Sequence, residues 1–579
     1  MASCIYFSQI VSILFTKSFL FDKIIMVNNN MNEQVKLTYS DGTVEMKRKG
    51  ITVLELLKTV DPSKQIVGVR INGEIVSYTY EIMDDCEVKF ITLSDRNGLK
   101  IYTKGLQYVY IVAVKLLFGD EAIVRIKHSI DKAIYSEIEM KKKLTKELVG
   151  KIKSKMKEII SADYMFNRIS CNRLDAYEYF REVSENEKAL NYKYMSNDFV
   201  TMYELLGEYN YFYYLMPIST GVLTRFDLTY AEPNGVVISY PIDNAVPKYI
   251  PSPKVINAFK EYENELAKMN VYYAGDINKI VVEGGINDFI QSNELLYDSR
   301  IYRIADKVKK DKNIKAILIS GPSSSGKTTT SKKLSLVLKT MGISSLVVST
   351  DDYYVNRVDS PKNEDGEYEF ESIEALDYQL FNSHIKDLLS GKEVLMPKYN
   401  FITGEKEYKG SGVKLDENQV LIIEGLHAIN DSLTSSISKE KKIKIYISPF
   451  NPVSLDRHNH ISTTDMRLLR RMIRDNAHRG YNADMTMDKW KKMRKSEEMY
   501  VYPYQRKADY IINTSLAYEI GVIRTYAEPL LYSVSPDSPN YEEALRMLDF
   551  LKGFINIPDT WVPKTSVLRE FIGGSYFEQ

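Results

Sequence analysis

The sequence predicts an α/β protein: a doubly wound parallel sheet carrying a phosphate-binding loop in the second half, preceded by a small β-rich domain and an α+β domain. Three observations predict this. Ile314 to Gly342 reads as buried strand, glycine-rich turn and helix, in that order. Four more short apolar strands follow it, separated by helical segments. Before Gly98, apolar and polar residues alternate around two tight-turn signals.

The chain has 579 residues, with Lys plus Arg and Asp plus Glu both totalling 77. A net charge of zero gives no support for broad attraction to nucleic acid or membranes. Cys4, Cys86 and Cys171 lie far apart without metal-ligand spacing, which suits a reducing compartment better than a disulfide framework. Ile5 to Phe21 is apolar but contains Lys17 and lacks a basic region before it, so it fits neither a signal peptide nor a membrane span. Residues 1–30 are expected to be a disordered or misassigned extension, with Met26 and Met31 as alternative starts. The protein is expected to be cytoplasmic.

From Gln34, VKLTY and VEMKR flank an Asp41-Gly42 turn, a short helix spans Thr52 to Val60, and IVGVRI and CEVKFIT surround Asn72-Gly73. This order has the length of a β-grasp domain. Gly98 to about Tyr273 reads as α+β, with a helix at Leu106 to Phe118, strands at Ala122 to Lys127 and Ala133 to Glu139, a lysine-rich helix from Lys142 to Ile160, and strands again near Thr224 to Tyr240. The lysine-rich helix is read as a solvated face. Asp288 to Lys310 is a helix leading into the buried strand Ala316 to Ile319.

Gly321 to Thr328, GPSSSGKT, fits G-x-x-x-x-G-K-[ST] at every required position. Gly321, Ser323, Ser324, Ser325, Gly326, Lys327, Thr328 and Thr329 are the candidate phosphate-binding residues. Bare backbone N–H groups converge on an anion there, and the helix start adds positive potential. Lys327 would reach the outer phosphates and Thr328 would offer its hydroxyl to Mg2+. The remaining strands are Ser344 to Ser349, Val420 to Ile423, Ile443 to Ile447 and Asp509 to Asn513, and ligands gather at the carboxyl ends of such strands.

The second strand ends in VVSTDDYYV, placing Asp351 and Asp352 on the rim where the phosphate loop opens, and a carboxylate there can take a proton from an attacking hydroxyl. The third ends in LIIEGLHA, and Glu424 takes the position of a Mg2+ carboxylate, while His427 is read as structural. Tyr368 to Asp377 and Pro397 to Phe401 would wall an acceptor pocket. In Ser462 to Arg479, Arg467, Arg471 and Arg474 share one face of a solvent-facing helix, and Leu468, Leu469, Met472 and Ile473 pack on another. Such arginines on a lid, hinged at Gly480, can neutralise a phosphoryl group in transfer.

From about residue 314 to 530 the chain resembles the uridine kinase and phosphoribulokinase family, through the phosphate loop, D-x-[FY]-Y at Asp351 to Tyr354, E-G-[IL] at Glu424 to Leu426 and R-R-x-x-R-D…R-G from Arg470 to Gly480. The resemblance implies ATP and Mg2+ as cofactors, with Asp351 as general base, Lys327, Arg474 and Arg479 on the ATP phosphates, Arg471 near the acceptor and Thr328 with Glu424 on the metal. Tyr399 falls on the family's substrate tyrosine, and Phe401 stands beside it. Glu371 replaces the aspartate that uridine kinases turn to ribose, Gly404 replaces the histidine facing the pyrimidine, and Tyr481 replaces a further lid arginine. The implied activity is phosphorylation of a nucleoside 5′-hydroxyl, with uridine or cytidine first. A kinase of another small acceptor such as a sugar phosphate, and an RNA- or ribosome-associated switch, stay open.

The stretch ahead of Gly98 is similar to the TGS domain of threonyl-tRNA synthetases, and the next to their second additional domain, the editing module. Lys104 and Tyr108 stand where that module carries two zinc-binding histidines, which implies a degenerate module without zinc or hydrolytic editing. The expected division is residues 1–30, 31–97, 98–275 and 276–579. Expected partners are a nucleoside, RNA or tRNA at the front domains and a second copy of the chain, with no membrane.

Overall fold

The computed structural model describes residues 33–60, 65–130, 133–195, 197–242, 245–248, 253–362, 366–451 and 453–577. The expectation for residues 1–30 lies outside these. Strands β1 (Gln34–Tyr39) and β2 (Val44–Arg48) form the first hairpin, and β3 (Gly68–Ile71), β4 (Glu74–Val76) and β5 (Cys86–Ile91) complete a five-stranded sheet in the order β2-β1-β5-β3-β4. β1 and β5 run parallel at its centre, which is the β-grasp arrangement. Asn72 and Gly73 both take positive φ, 49° and 86°, the geometry that tightens the β3–β4 hairpin. The helix expected over Thr52 to Val60 is only α1 (Val53–Leu57). Thr52 and Glu55 cap it reciprocally, and Thr59 and Val60 then bond to Leu56 and Leu57 in tighter turns that end it.

Helix α2 (Arg96–Phe118) starts ten residues ahead of the expected Leu106, and Gly98, Ile101, Tyr102 and Gly105 are already buried at helical spacing ahead of it. Beside it a sheet of β6 (Ile123–Ile130), β7 (Ala133–Glu139), β11 (Asp227–Ala231) and β12 (Gly235–Ser239) runs in the order β11-β12-β7-β6. Helix α3 (Lys146–Ser161) buries Leu148, Ile152, Met156 and Ile159 on one face. Helices α4 (Arg173–Glu182) and α5 (Asn186–Tyr194) pack beside a second sheet of β8 (Asn167–Asn172), β9 (Phe199–Leu205) and β10 (Glu208–Asn210).

Helices α6 (Pro253–Ala267), α7 (Ala274–Val282) and α8 (Ile286–Lys310) lead to the parallel sheet of β13 (Ala316–Ser320), β14 (Ser345–Ser349), β17 (Val420–Glu424), β18 (Lys442–Ser448) and β19 (Tyr510–Asn513), in the order β14-β17-β13-β18-β19. Every pairing in it is parallel. Both faces are covered, which is why β13 reads as an unbroken apolar run. Ile317 and Ile319 join the core with Leu334 and Leu338 of α9 (Lys327–Thr340), and Ala316 and Leu318 join Phe381 and Ile385 of α10 (Tyr378–Leu389). Val255 and Phe259 of α6 belong to this second core as well. A short hairpin, β15 (Lys398–Asn400) with β16 (Glu405–Glu407), stands at the sheet's carboxyl end, and α11 (Thr463–Arg479), α12 (Ala483–Tyr500), α13 (Glu519–Tyr532), α14 (Tyr541–Leu551) and α15 (Arg569–Ile572) complete the fold.

Helix α11 corrects one expectation. It is not a solvent-facing lid: Met466 to Ile473 are all buried, and Arg467 and Arg470 are among the most buried large side chains. No helix among the described residues is long and apolar enough to cross a membrane.

Candidate active site

The loop between β13 and α9 is shaped from beneath. A Cβ on Gly321 would stand 2.2 Å from the Ile447 carbonyl oxygen, so this position admits only glycine. Thr514 Oγ1 donates to Ser325 O at 2.7 Å, and Thr330 Oγ1 donates to Gly326 O at 2.6 Å. Two buried ion pairs hold the loop from the side. Arg467 pairs with Glu497 and donates to Ser323 O at 2.9 Å, while Glu497 accepts the Ser323 N–H at 2.8 Å. Arg470 pairs with Glu519 and donates to Thr514 O at 2.9 Å. Arg467 therefore shapes the loop and does not share the cleft with Arg471 and Arg474, because Glu497 already neutralises it.

Above the loop lies a cleft of about 1280 Å³. On its floor are Ser323, Ser324, Ser325, Gly326, Lys327 and Thr328. Asp351 and Glu424 line it from the ends of β14 and β17, and Arg471, Arg474 and Arg479 line it from α11. Glu371, Tyr399 and Phe401 form the opposite end. Of the residues expected from sequence, Gly321, Thr329, Asp352 and Arg467 fall outside this lining. Gly321 lies beneath the loop, and Thr329 turns to Glu570.

Lys327 Nζ donates to Pro322 O at 3.2 Å. Burial raises the Asp351 carboxyl, with the Lys327 ammonium opposing and Asp352 adding to the rise. Asp352 itself pairs with Lys398 at 3.0 Å, which leaves Asp351 as the carboxylate turned to the cleft. Glu424 is pushed up to about 7, chiefly by burial and then by Asp351. Its Oε1 accepts from Thr328 Oγ1 at 3.3 Å and Ser349 Oγ at 3.0 Å. A desolvated carboxylate bonded only to hydroxyls fits a divalent cation. Among the described residues no cluster of three metal-ligating side chains exists, and Mg2+ needs none where phosphates and waters complete its shell.

The three cleft arginines converge on Asp475, which is buried. Arg471 Nε and Arg474 Nη2 each reach it at 3.0 Å, and Arg479 Nη1 at 3.4 Å. Arg471 also donates to Ser323 Oγ at 3.0 Å, tying the cluster to the loop. Three guanidiniums on one carboxylate leave an excess of positive charge toward the cleft, and burial lowers the pKa values of Arg471 and Arg479. At the far end Tyr354 packs within 5.5 Å of the Tyr399 ring and 6.1 Å of Phe401. The Tyr399 hydroxyl is buried, with Arg357 as its charged neighbour, and burial raises the Glu371 carboxyl against the opposing Arg471. His427 is buried and bonds Glu371 O through Nε2 at 2.8 Å, in keeping with a structural role. Sequence reasoning missed Glu497 and Glu570, and only Asp475 carried a local signal, its spacing of four from Arg471 and from Arg479.

This is the architecture of a P-loop kinase fold. The Phosphoribulokinase / Uridine kinase family model matches residues 316–520. The uridine kinase of Halobacterium salinarum is 29% identical over 199 residues, 34% of this chain and 79% of that protein. The N-terminal region is similar to threonine–tRNA ligases; that of Caldanaerobacter subterraneus subsp. tengcongensis is 32% identical over 164 residues, 28% of this chain and 25% of that enzyme. The chain thus spans about a quarter of the length of these ligases. The solved structure of a possible uridine kinase from Bacillus stearothermophilus aligns at 19% identity over 37% of this chain and 98% of its own, with a TM-score of 0.24. Both resemblances read from sequence, to the kinase family and to the synthetase front, are borne out.

Proposed function

We propose that the protein transfers the γ-phosphoryl of ATP to the 5′-hydroxyl of a nucleoside, uridine or cytidine first. The supporting observation is that the desolvated Asp351 carboxylate, the phosphate loop and the arginines gathered on Asp475 all face one cleft whose far wall is aromatic. Asp351 would accept the hydroxyl proton, and its burial makes it a stronger base than an exposed aspartate. Lys327, Arg474 and Arg479 would hold the phosphates, and Arg471 and Glu371 would meet the acceptor. Thr328 and Glu424 would hold Mg2+, which supplies charge neutralisation on the phosphates. Tyr399 and Phe401 offer faces on which a base can stack.

A second reading, a phosphorylated sugar as acceptor, is supported by Arg357 and Lys362 on the cleft lining, which could receive an anion. The test is ADP release with Mg2+ and ATP across a panel of nucleosides, ribulose 5-phosphate and total tRNA, with mass spectrometry of the products. A nucleoside monophosphate is expected. A bisphosphorylated sugar would favour the second reading, and turnover with tRNA but no new phosphate ester would overturn both.

A further inference from the structure

Carboxylates close the phosphate loop's row of donors at both ends. At one end is Glu497 on the Ser323 N–H, neutralised by Arg467. At the other, Glu570 Oε2 accepts the Thr329 hydroxyl at 2.7 Å and the Thr329 N–H at 3.2 Å. That N–H is a first-turn donor of α9 without an intrahelical acceptor, since Thr330 N to Gly326 O at 3.0 Å is where helical bonding begins. Between the two ends, the N–H groups of Ser324 to Thr328 meet no protein acceptor among the described residues.

Glu570 differs from Glu497 in one respect: no lysine or arginine pairs with it among the described residues, so it stands on an anion site as an uncompensated anion. Its position is fixed. Phe571 beside it is buried, Arg569 ties to Asp559 at 2.8 Å, and Val567 Cγ2 would stand 2.4 Å from a Cβ on Gly326. In a loop of this kind the backbone donors cradle the α- and β-phosphates while the lysine reaches the β- and γ-phosphates. The first turn of α9, where Thr329 lies, is the α-phosphate end.

We propose that Glu570 is the donor-selecting residue of this site. It holds the place at Thr329 that the α-phosphate of a nucleoside triphosphate takes, so a nucleotide must displace it, whereas an anion of pyrophosphate length binds without doing so. The proposal rests on the reading of the loop as the phosphoryl-donor site.

The test is calorimetric titration of the full chain with Mg-ATP and with Mg-pyrophosphate, in wild type, Glu570→Gln and Glu570→Ala. The glutamine keeps an oxygen acceptor for Thr329, and the alanine leaves the space open, so agreement between them separates charge from local collapse. Both are expected to tighten ATP by about 10- to 100-fold, the value of a charge-assisted hydrogen bond released from competition. Pyrophosphate is expected to change by less than about threefold, since its donors do not include Thr329. Unchanged or weaker ATP binding in the variants, or parallel tightening of pyrophosphate, would overturn the proposal. Failure of every form to bind either anion would instead overturn the donor-site reading beneath it.

Discussion

Removing the Glu497 carboxylate tests whether the phosphate loop is held by buried charge. Glu497 is fully buried and Arg467 nearly so. Arg467 donates to Ser323 O at 2.9 Å and Tyr502 Oη at 3.0 Å, and lies over the Trp490 ring at 5.0 Å. Glu497→Ala leaves the guanidinium without its counter-ion and the Ser323 N–H without its acceptor. Breaking one side of a buried pair costs about 3–5 kcal/mol. Trp490 is a local reporter, and replacing the half-exposed Trp561 by Phe leaves it as the only tryptophan, since the sequence has two. With a urea slope of about 3 kcal/mol per M, the transition followed at Trp490 should shift down by about 1–1.7 M. Arg467→Met with Glu497→Met should recover most of the loss, because apolar replacement of a whole buried pair is often neutral. A single-variant loss below about 1 kcal/mol, or a double variant worse than either single, would refute the reasoning.

Three further outcomes are expected. Asp351→Asn should keep ATP affinity within about twofold by calorimetry while lowering turnover on the true acceptor by about 10²–10⁴-fold, the range of a lost general base; unimpaired turnover would pass the role to Asp352. Lys327→Ala should weaken both ATP binding and turnover in the same two assays. Lys104 is held down to about 8 by burial, against a partial offset from Asp456. A lysine whose folded pKa is depressed costs stability while both states stay protonated, so Lys104→Met should add up to about 3 kcal/mol at pH 7. That gain should shrink as pH rises through 8 and vanish toward 10.5, measured by denaturant titration across pH.

The parallel sheet was legible because its strands are covered on both faces: Ala316 to Ile319 could hardly be anything but interior. The loop motif and the rim position of Asp351 were legible for a similar reason, since each follows a strand whose end the sequence marks, whereas Glu371 and Tyr399 came from the resemblance to the kinase family. The arginine helix was misread in part because a period of i, i+4, i+7 is the same for a solvated stripe and for a buried ion-pair face. What decides between them is Glu497, 30 residues beyond Arg467, and Glu519, 49 beyond Arg470. Glu570 reaches Thr329 across 241 residues, and no local pattern announces such a contact.

The two halves of the chain are joined by more than sequence. Between β18 and α11 the chain runs into the α+β domain, where Asp456, His458 and Asn459 are buried. Tyr211 donates to Asp456 Oδ2 at 2.5 Å, Asn191 Nδ2 to Leu455 O at 2.6 Å, and Lys188 Nζ lies 2.8 Å from His458 Nδ1. Accepting from an ammonium keeps that imidazole neutral, and burial holds its pKa well below the usual histidine range. Lys104, at a position the sequence aligns with a zinc ligand, feels the Asp456 carboxylate. Stripping the front domain away would remove the Tyr211, Asn191 and Lys188 contacts, at about 1–3 kcal/mol for each group left buried and unsatisfied, while Asp456 would keep the His458 and Asn459 donors of its own loop. The same loop continues within a few residues into α11, whose Arg471, Arg474 and Arg479 line the cleft. The front domain therefore fixes the root of the helix that carries the site's positive charge, which gives a synthetase-like module a structural use beside a P-loop kinase fold.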